Sequence, residues 1–357
     1  MKYTKEELSL IWLDSFLGLE YRHKEYLFDK ICSTGRISEN IVKNQSYIKE
    51  NIGEKEYETL LNSAKEEYLD YLLNGLEIRK VVAITKYSKN YPNKLKNLPL
   101  APLILYAKGN ISLLNEKSFA IVGSRRSLPY SVAVAEKYAE ALSKNGVVLI
   151  TGIAEGVDES VIKGSINSGK IISVVAGGFD KIYPAKNTPL AEEVAKNGLL
   201  ISEHPPEVLS RNFLFPVRNR IIAGLSDGVL VVSAGVKSGT LYTAEYAEEY
   251  SKPVFAIPYT PNIESGLGTN ALIKKGAYLC DTVSDIFEVL GIEENKTVIN
   301  LTKEEQAVLD IIKEGEIHIE KLAKALNKQV YELMPTLSIL EIKKLVTKSM
   351  GNVYSAV

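Results

Sequence analysis

Through the middle of this 357-residue chain, short continuous apolar runs alternate with amphipathic windows. The runs lie at 81–85, 103–107, 119–123, 147–151, 171–176, 199–202, 229–233 and 254–257. A strand covered on both faces reads this way, because neither face has to be polar. The windows at 131–144, 157–167, 189–196, 218–225 and 241–250 carry apolar residues at helical spacing instead. This βαβα alternation predicts an α/β fold with a parallel, doubly wound sheet. Ligands of such sheets bind outside the carboxyl ends of the strands.

The flanks follow a different pattern. Residues 1–75 read as short helices. One opens at Glu6-Glu7 with Thr4 as N-cap and presents Leu10, Leu13, Phe16 and Leu17 on one face. A second, over 56–73, has Tyr57, Leu60, Leu61, Tyr68 and Leu72 as its stripe. Beyond a closing helix at 283–290 and a charged linker at 291–297 come three short helical windows. A strand pair follows at 342–347 and 353–356, which completes the outline of a winged helix. The expected domains are therefore a helical one over 1–75, a sheet domain over 76–291 and a winged-helix-like one over 298–357.

Charge changes this picture only locally. A net charge of −1 gives no global attraction for a polyanion. Residues 1–75 carry −4, residues 76–297 carry +3 and residues 298–357 are balanced. A polyanion site is thus expected in the middle, as a patch. Two cysteines, Cys32 and Cys280, make neither a disulfide framework nor a zinc cluster, and both sit in apolar surroundings. His23, His204 and His318 have no metal-ligand spacing, so no metal is expected. Neither an apolar run of about 18 residues nor a secretory leader pattern is visible, so a cytoplasmic protein without membrane contact is expected.

Candidate chemistry sits in loops after strands. The segment Phe213-Leu214-Phe215-Pro216-Val217-Arg218-Asn219-Arg220, two residues after Arg211, combines rings with guanidinium groups. Arginine forks hold phosphates or carboxylates and aromatic faces stack on bases, so a nucleic-acid strand comes into view. Gly123-Ser124-Arg125-Arg126 turns from a strand toward a helix, where free amides suit an anion. It is not a dinucleotide fingerprint, since no acidic residue ends the next strand, and no cofactor is expected. Asp158 suits a helix cap, or could hold neighbouring loop amides. Lys186 and Asn187 precede a helix within reach of a phosphate. Lys237-Ser238-Gly239-Thr240 offers hydroxyls and amides without P-loop spacing. A row of such cradles would follow successive phosphates, whereas a single one would hold one nucleotide. Glu245, five residues after Thr240, is either an acid/base group or a helix-surface carboxylate.

Together these blocks resemble the DprA/Smf (DNA-processing protein A) family. The resemblance runs from Tyr91-Pro92 through 102–110, Ile121-Val122-Gly123-Ser124-Arg125, Thr151-Gly152-Ile153-Ala154 and Gly156-Val157-Asp158. It continues in family order through Tyr183-Pro184, Ser202-Glu203, Phe215-Pro216, 218–225 and 237–244. It implies an extended Rossmann-like core with a sterile-alpha-motif-like helical domain before it and a winged helix after it. It further implies a homodimer that binds single-stranded DNA and hands the strand to RecA recombinase, without catalytic residues. Carried over by position, the strand's pocket takes Arg125, Lys186 and Arg211 with Phe213 or Phe215, while Arg218 and Arg220 support it.

The chain departs from the family pattern in places. Glu155 stands where the usual Ser-Gly-x-Ala-Arg-Gly-x-Asp has arginine, Thr151 where it has serine, and Ser233 where a glutamate is usual. The rival reading is a nucleotide phosphoribohydrolase on a related core, suggested by Ser238-Gly239-Thr240 and Glu245. Its usual Pro-Gly-Gly is absent, and Ser233-Ala234-Gly235 stands there instead.

Overall fold

All eight apolar runs become strands, and a ninth strand joins them. They are β1 (Val82–Thr85), β2 (Ile104–Gly109), β3 (Ser118–Gly123), β4 (Val148–Thr151), β5 (Ile171–Val174), β6 (Leu199–Ser202), β7 (Val229–Ser233), β8 (Val254–Ala256) and β9 (Tyr278–Leu279). The structure, a computed structural model, describes residues 3–17, 19–32, 37–293, 301–343, 345–349 and 351–356. The nine strands form one sheet in the order β1-β2-β6-β5-β4-β3-β7-β8-β9. From β6 to β9 along that order every neighbour is parallel.

The two strands at the other edge break the expected parallel pattern, since β2 runs antiparallel to β6 and β1 antiparallel to β2. The chain between β1 and β2 holds only the four-residue helix Asn93–Lys96. It lacks the long crossover helix that usually returns a chain to a parallel neighbour. Helices cover both faces of the sheet. On one, Val122, Ile150, Val174 and Val231 pack with Ile221 and Ala244. On the other, Ile121, Leu149 and Val232 pack with Leu142 and Val161. Alternate residues of each strand thus enter different cores, which is why the runs are apolar throughout.

The helical segment shares a core with the edge strands. Thr4 caps the first helix, Lys5–Asp14, in a reciprocal capping box with Glu7. Leu10, Ile11, Trp12 and Leu13 cluster with Ala83, Ile104 and Tyr106 of β1 and β2. The Tyr106 hydroxyl donates to Asp14 Oδ2 at 2.8 Å. Leu17, expected on the buried face, is exposed because the helix ends before it. The single helix expected over 56–73 is two, Glu54–Ser63 and Glu66–Ile78. Ala64 leaves helical geometry between them, and the Ser63 carbonyl accepts from Trp12 Nε1 at 3.0 Å. The second helix runs through residue 75, where the sequence pattern changes.

By contacts the chain divides into two compact units, Met1–Glu294 and Asn295–Val357. The second contains helices Lys303–Lys313, Ile319–Ala325 and Val330–Ile342. A small antiparallel sheet of β10 (Ile317–His318), β11 (Val346–Ser349) and β12 (Val353–Ala356) accompanies them in the order β10-β12-β11. The strand expected from 342 starts four residues later, because the last helix keeps burying Leu333, Leu337 and Leu340. Most of the linker at 291–297 lies outside the described residues.

The helix Leu214–Leu225, which carries the arginine run, ends on a lysine. Lys252 Nζ donates to the carbonyls of Ala223 at 2.9 Å and Gly224 at 2.5 Å. Burial pulls the Lys252 amine down to about 8, with Lys94 adding repulsion and Asp227 opposing. Unfolded lysine keeps its proton to about pH 10.4. Between those values the unfolded chain holds more protons than the folded one, so this group makes stability rise with pH. Urea unfolding of the wild type should therefore gain stability from pH 8 to 10 relative to Lys252→Met. Parallel pH profiles of the two proteins would refute the assignment.

Candidate functional site at the switch point of the sheet

Strand order reverses between β3 and β7, and the loops that leave them diverge. Such a switch point opens a crevice at the carboxyl ends of the strands. Here it is a cavity of about 430 Å³. Gly123, Ser124, Arg125 and Arg126 line it after β3. Ser238, Gly239 and Thr240 line it after β7, and Phe215, Arg218 and Asn219 come from the helix between.

Two glycines let the loops close on each other. A methyl at Gly123 would stand 2.8 Å from Val157 Cβ, at the start of helix Val157–Ser165. Gly156 has φ +79°, and a methyl there would meet the Ser124 carbonyl oxygen at 2.7 Å. The Ser124 amide is in use, since it donates to Ser233 Oγ at 3.1 Å. Ser233 occupies the position where the family pattern has a carboxylate.

Asp158 does not cap its helix, where the N-cap is Gly156. Its buried carboxylate instead accepts from the Ala154 amide and the Thr151 hydroxyl, each at 3.1 Å. Burial pushes its carboxyl up, against Arg218 and these two donors. Arg218 is also buried. Its Nη1 donates to the Val174 carbonyl at the end of β5, and its Nε donates to Asn219 Oδ1 at 3.2 Å. Burial brings the guanidinium down to about 10, with Asp158 holding it up and Arg125 pushing it down. The two groups face each other across Gly152, where a methyl would stand 2.8 Å from the guanidinium.

The rim is exposed. The Arg125 guanidinium lies over the Phe215 ring at 4.7 Å, and the Tyr183 ring meets Phe215 edge-on at 5.8 Å. Tyr183 is 51% exposed. Sequence reasoning used it only as a family marker, and its place before proline on a strand-end loop was the available signal. Lys186, in the same loop, forms an ion pair with Glu155 at 2.9 Å. The buried Asn187 anchors the loop by donating to the Ile153 carbonyl at 2.7 Å.

The other expected residues lie apart from this crevice or close its far side. Arg211 and the exposed Phe213 line a second cavity of about 510 Å³, together with Arg220, Glu203 and His204. Arg220 is buried there in a 2.5 Å pair with Glu203. At the far side of the crevice, Asn219 Nδ2 donates to the Gly239 carbonyl at 3.1 Å, and Ser238 Oγ donates to Thr240 Oγ1 at 3.1 Å. Lys237 is exposed next to them. Glu245 is exposed on helix Leu241–Glu249 and does not line the cavity. Among the described residues, no acidic, histidine and cysteine cluster could hold a metal ion, and no helix is long and apolar enough to cross a membrane.

An extended Rossmann-like sheet with a cationic, ring-edged crevice at its switch point defines the class. The chain belongs to the DNA recombination-mediator protein A (DprA/Smf) family, whose sequence profile matches residues 82–291. Its relatives include the DNA processing protein DprA of Bacillus subtilis, 42% identical over 205 residues, which are 57% of this chain and 69% of that one. DprA of Streptococcus pneumoniae is 37% identical over 213 residues, 59% of this chain and 74% of that one. In structure the chain is similar to DNA processing protein A of Helicobacter pylori, described for its single-stranded DNA binding mode. That likeness has TM-score 0.55 and 34% identity, covering 59% of this chain and 95% of that one. The X-ray structure of the Streptococcus pneumoniae protein gives TM-score 0.58 and 29% identity over 76% of this chain and 97% of that one. Family membership places the protein in DNA processing and recombination.

The loop contacts make a sharp contrast between glycines. Gly156→Ala puts a side chain at a backbone angle that favours glycine and against two carbonyls, and should cost about 1–3 kcal/mol. Gly239→Ala meets open space and should leave thermal stability nearly unchanged. Equal melting temperatures for the two variants would contradict this packing.

Proposed function

We propose that the protein binds single-stranded DNA along the rim of the switch-point crevice and presents it to RecA recombinase, acting as a homodimer. The observation that carries this reading is the open assembly of Arg125, Phe215 and Tyr183. A guanidinium with no carboxylate in ion-pair contact among the described residues suits a phosphate, and rings at a solvent-facing edge suit unpaired bases. Arg211 and Phe213, exposed beside the second cavity and just ahead of Phe215 in the chain, supply a further cation and ring. Ser238, Gly239, Thr240 and Lys237 supply hydroxyls, amides and charge on the opposite wall. Arg218, Asn219 and Arg220 hold the helix between them.

The protein acts by binding rather than catalysis in this reading, and it protects incoming or processed strands until RecA takes them over. The Helicobacter pylori relative, described for its single-stranded DNA binding mode, supports the choice of ligand. Binding that rests on phosphate contacts and stacking is sequence-tolerant and weakens with salt. Glu245, the acid/base group of the phosphoribohydrolase alternative, is exposed and does not line the crevice.

In fluorescence anisotropy across a salt series, single-stranded oligonucleotides should bind more tightly than duplexes of the same sequence. Arg125→Ala should weaken binding and flatten the slope of log K against log salt by about 0.7, the loss of one phosphate contact. Phe215→Ala and Tyr183→Ala should each cost about 1–3 kcal/mol of binding, with melting curves showing that both stay folded. Preference for duplex, or an unchanged Arg125→Ala, would sink the pocket. Faster RecA filament assembly on a precoated strand tests the hand-over.

A further inference from the structure

The rim carries one acidic side chain next to its cations. Glu155 precedes Gly156, the residue whose backbone closes on the carbonyls of Ser124 and Arg125. The backbone that carries Glu155 therefore runs close to the Gly123–Arg126 loop, just before the Val157–Ser165 helix. From there Oε2 reaches Lys186 Nζ at 2.9 Å, across to the loop that carries Tyr183. Both partners are solvent-facing, with side-chain exposures of 60% for Lys186 and 43% for Glu155. The pair thus bridges the loop after β4 and the loop that carries Tyr183, one of the rim's two rings.

We infer that Glu155 is a built-in phosphate mimic that occupies Lys186 in the free protein. Resting on the single-strand reading above, this inference makes it a competitor of the strand for one of the rim's cations. A carboxylate and a phosphate ask the same thing of an ammonium group, namely charge-assisted hydrogen bonds at short range. Lys186 cannot serve both fully, because its single positive charge would be shared between two anions that repel each other at short range. Arg125 has no such competitor in ion-pair contact among the described residues, so the two cations of the rim are unequal. Arg125 meets the strand at once, whereas Lys186 joins only when Glu155 lets go. An exposed pair of this kind is weak enough to open. The strand can therefore displace Glu155, but part of the gain at Lys186 is lost in doing so.

Competition for one cation has a signature that a mere negative field lacks. If Glu155 only repels the strand at long range, removing Lys186 costs the same with or without it. If Glu155 holds Lys186, the lysine contributes little until the carboxylate is gone. The experiment measures single-strand affinity across salt for the full chain, Glu155→Gln, Lys186→Ala and the double variant, with Arg125→Ala as the reference. Glu155→Gln should bind about fivefold tighter at moderate salt. It should also steepen the slope of log K against log salt by about 0.7, one added phosphate contact. Lys186→Ala should cost clearly more in the Glu155→Gln background than in the wild type. Equal costs in the two backgrounds, or an unchanged salt slope for Glu155→Gln, overturn the inference even if Arg125→Ala weakens binding as expected. Loss of all four measurements, with no single-strand binding by any protein at low salt, overturns the inference and the function together.

Discussion

The position of the rim depends on one buried guanidinium. Arg218 sits under the crevice, with a backbone carbonyl and an asparagine oxygen as its hydrogen-bond partners. A buried charge is costly unless its donors are satisfied and a counter-charge is near. Here the Val174 carbonyl at the end of β5 and Asp158 beside the end of β4 meet those needs. Asp158 in turn gathers the Thr151 hydroxyl and the Ala154 amide. One helix is thereby tied to the carboxyl ends of two strands and to the loop between β4 and the next helix. Of the rim residues, Phe215 stands on that helix and Tyr183 on the loop that follows β5, while Arg125 comes from the loop after β3 and rests on the Phe215 ring.

Helical geometry explains how a single arginine run serves two places. Residues two apart on a helix project about 200° from each other. Arg218 therefore turns to the crevice and Arg220 to the cavity beside the helical segment, where Glu203 receives it. Asn219 lies between them and crosses to the Gly239 carbonyl. The run supports three surroundings at once, with only a short part of one helix. Its arginines act as internal struts, and the outward cationic work falls to residues on loops, where side chains stay in contact with water.

Much of this was legible in the sequence. Strands covered on both faces have no polar alternation to confuse with a loop, so all eight apolar runs led to strands. The family blocks then brought Gly123, Arg125, Phe215, Ser238 and Asn219 to one crevice. What stayed hidden depended on contacts between distant segments. The use of the Ser124 amide by Ser233 needs two loops 109 residues apart to meet. Nothing in either loop announces that. The break at Ala64 comes from a helix packing on Trp12, and Asp158 clamps a loop because its partners reach it from β4. The antiparallel direction of β1 and β2 is set by a connection, and the residues of a strand do not encode the direction of its neighbour.

The helical segment belongs to the same mechanical unit as the sheet. Trp12, Leu13 and Tyr57 share a cluster with Ile104 and Tyr106, and Tyr106 donates to Asp14. Asp14 is held on its other side by Lys24 at 2.7 Å, and both residues line the cavity that contains Arg211, Phe213 and Arg220. Part of that cavity's lining thus comes from two helices of the amino-terminal segment, Lys5–Asp14 and Tyr21–Leu27. The acidic segment, which by charge alone suits no polyanion, thus shares a cavity with Arg220, on the helix that also carries Phe215 and Arg218.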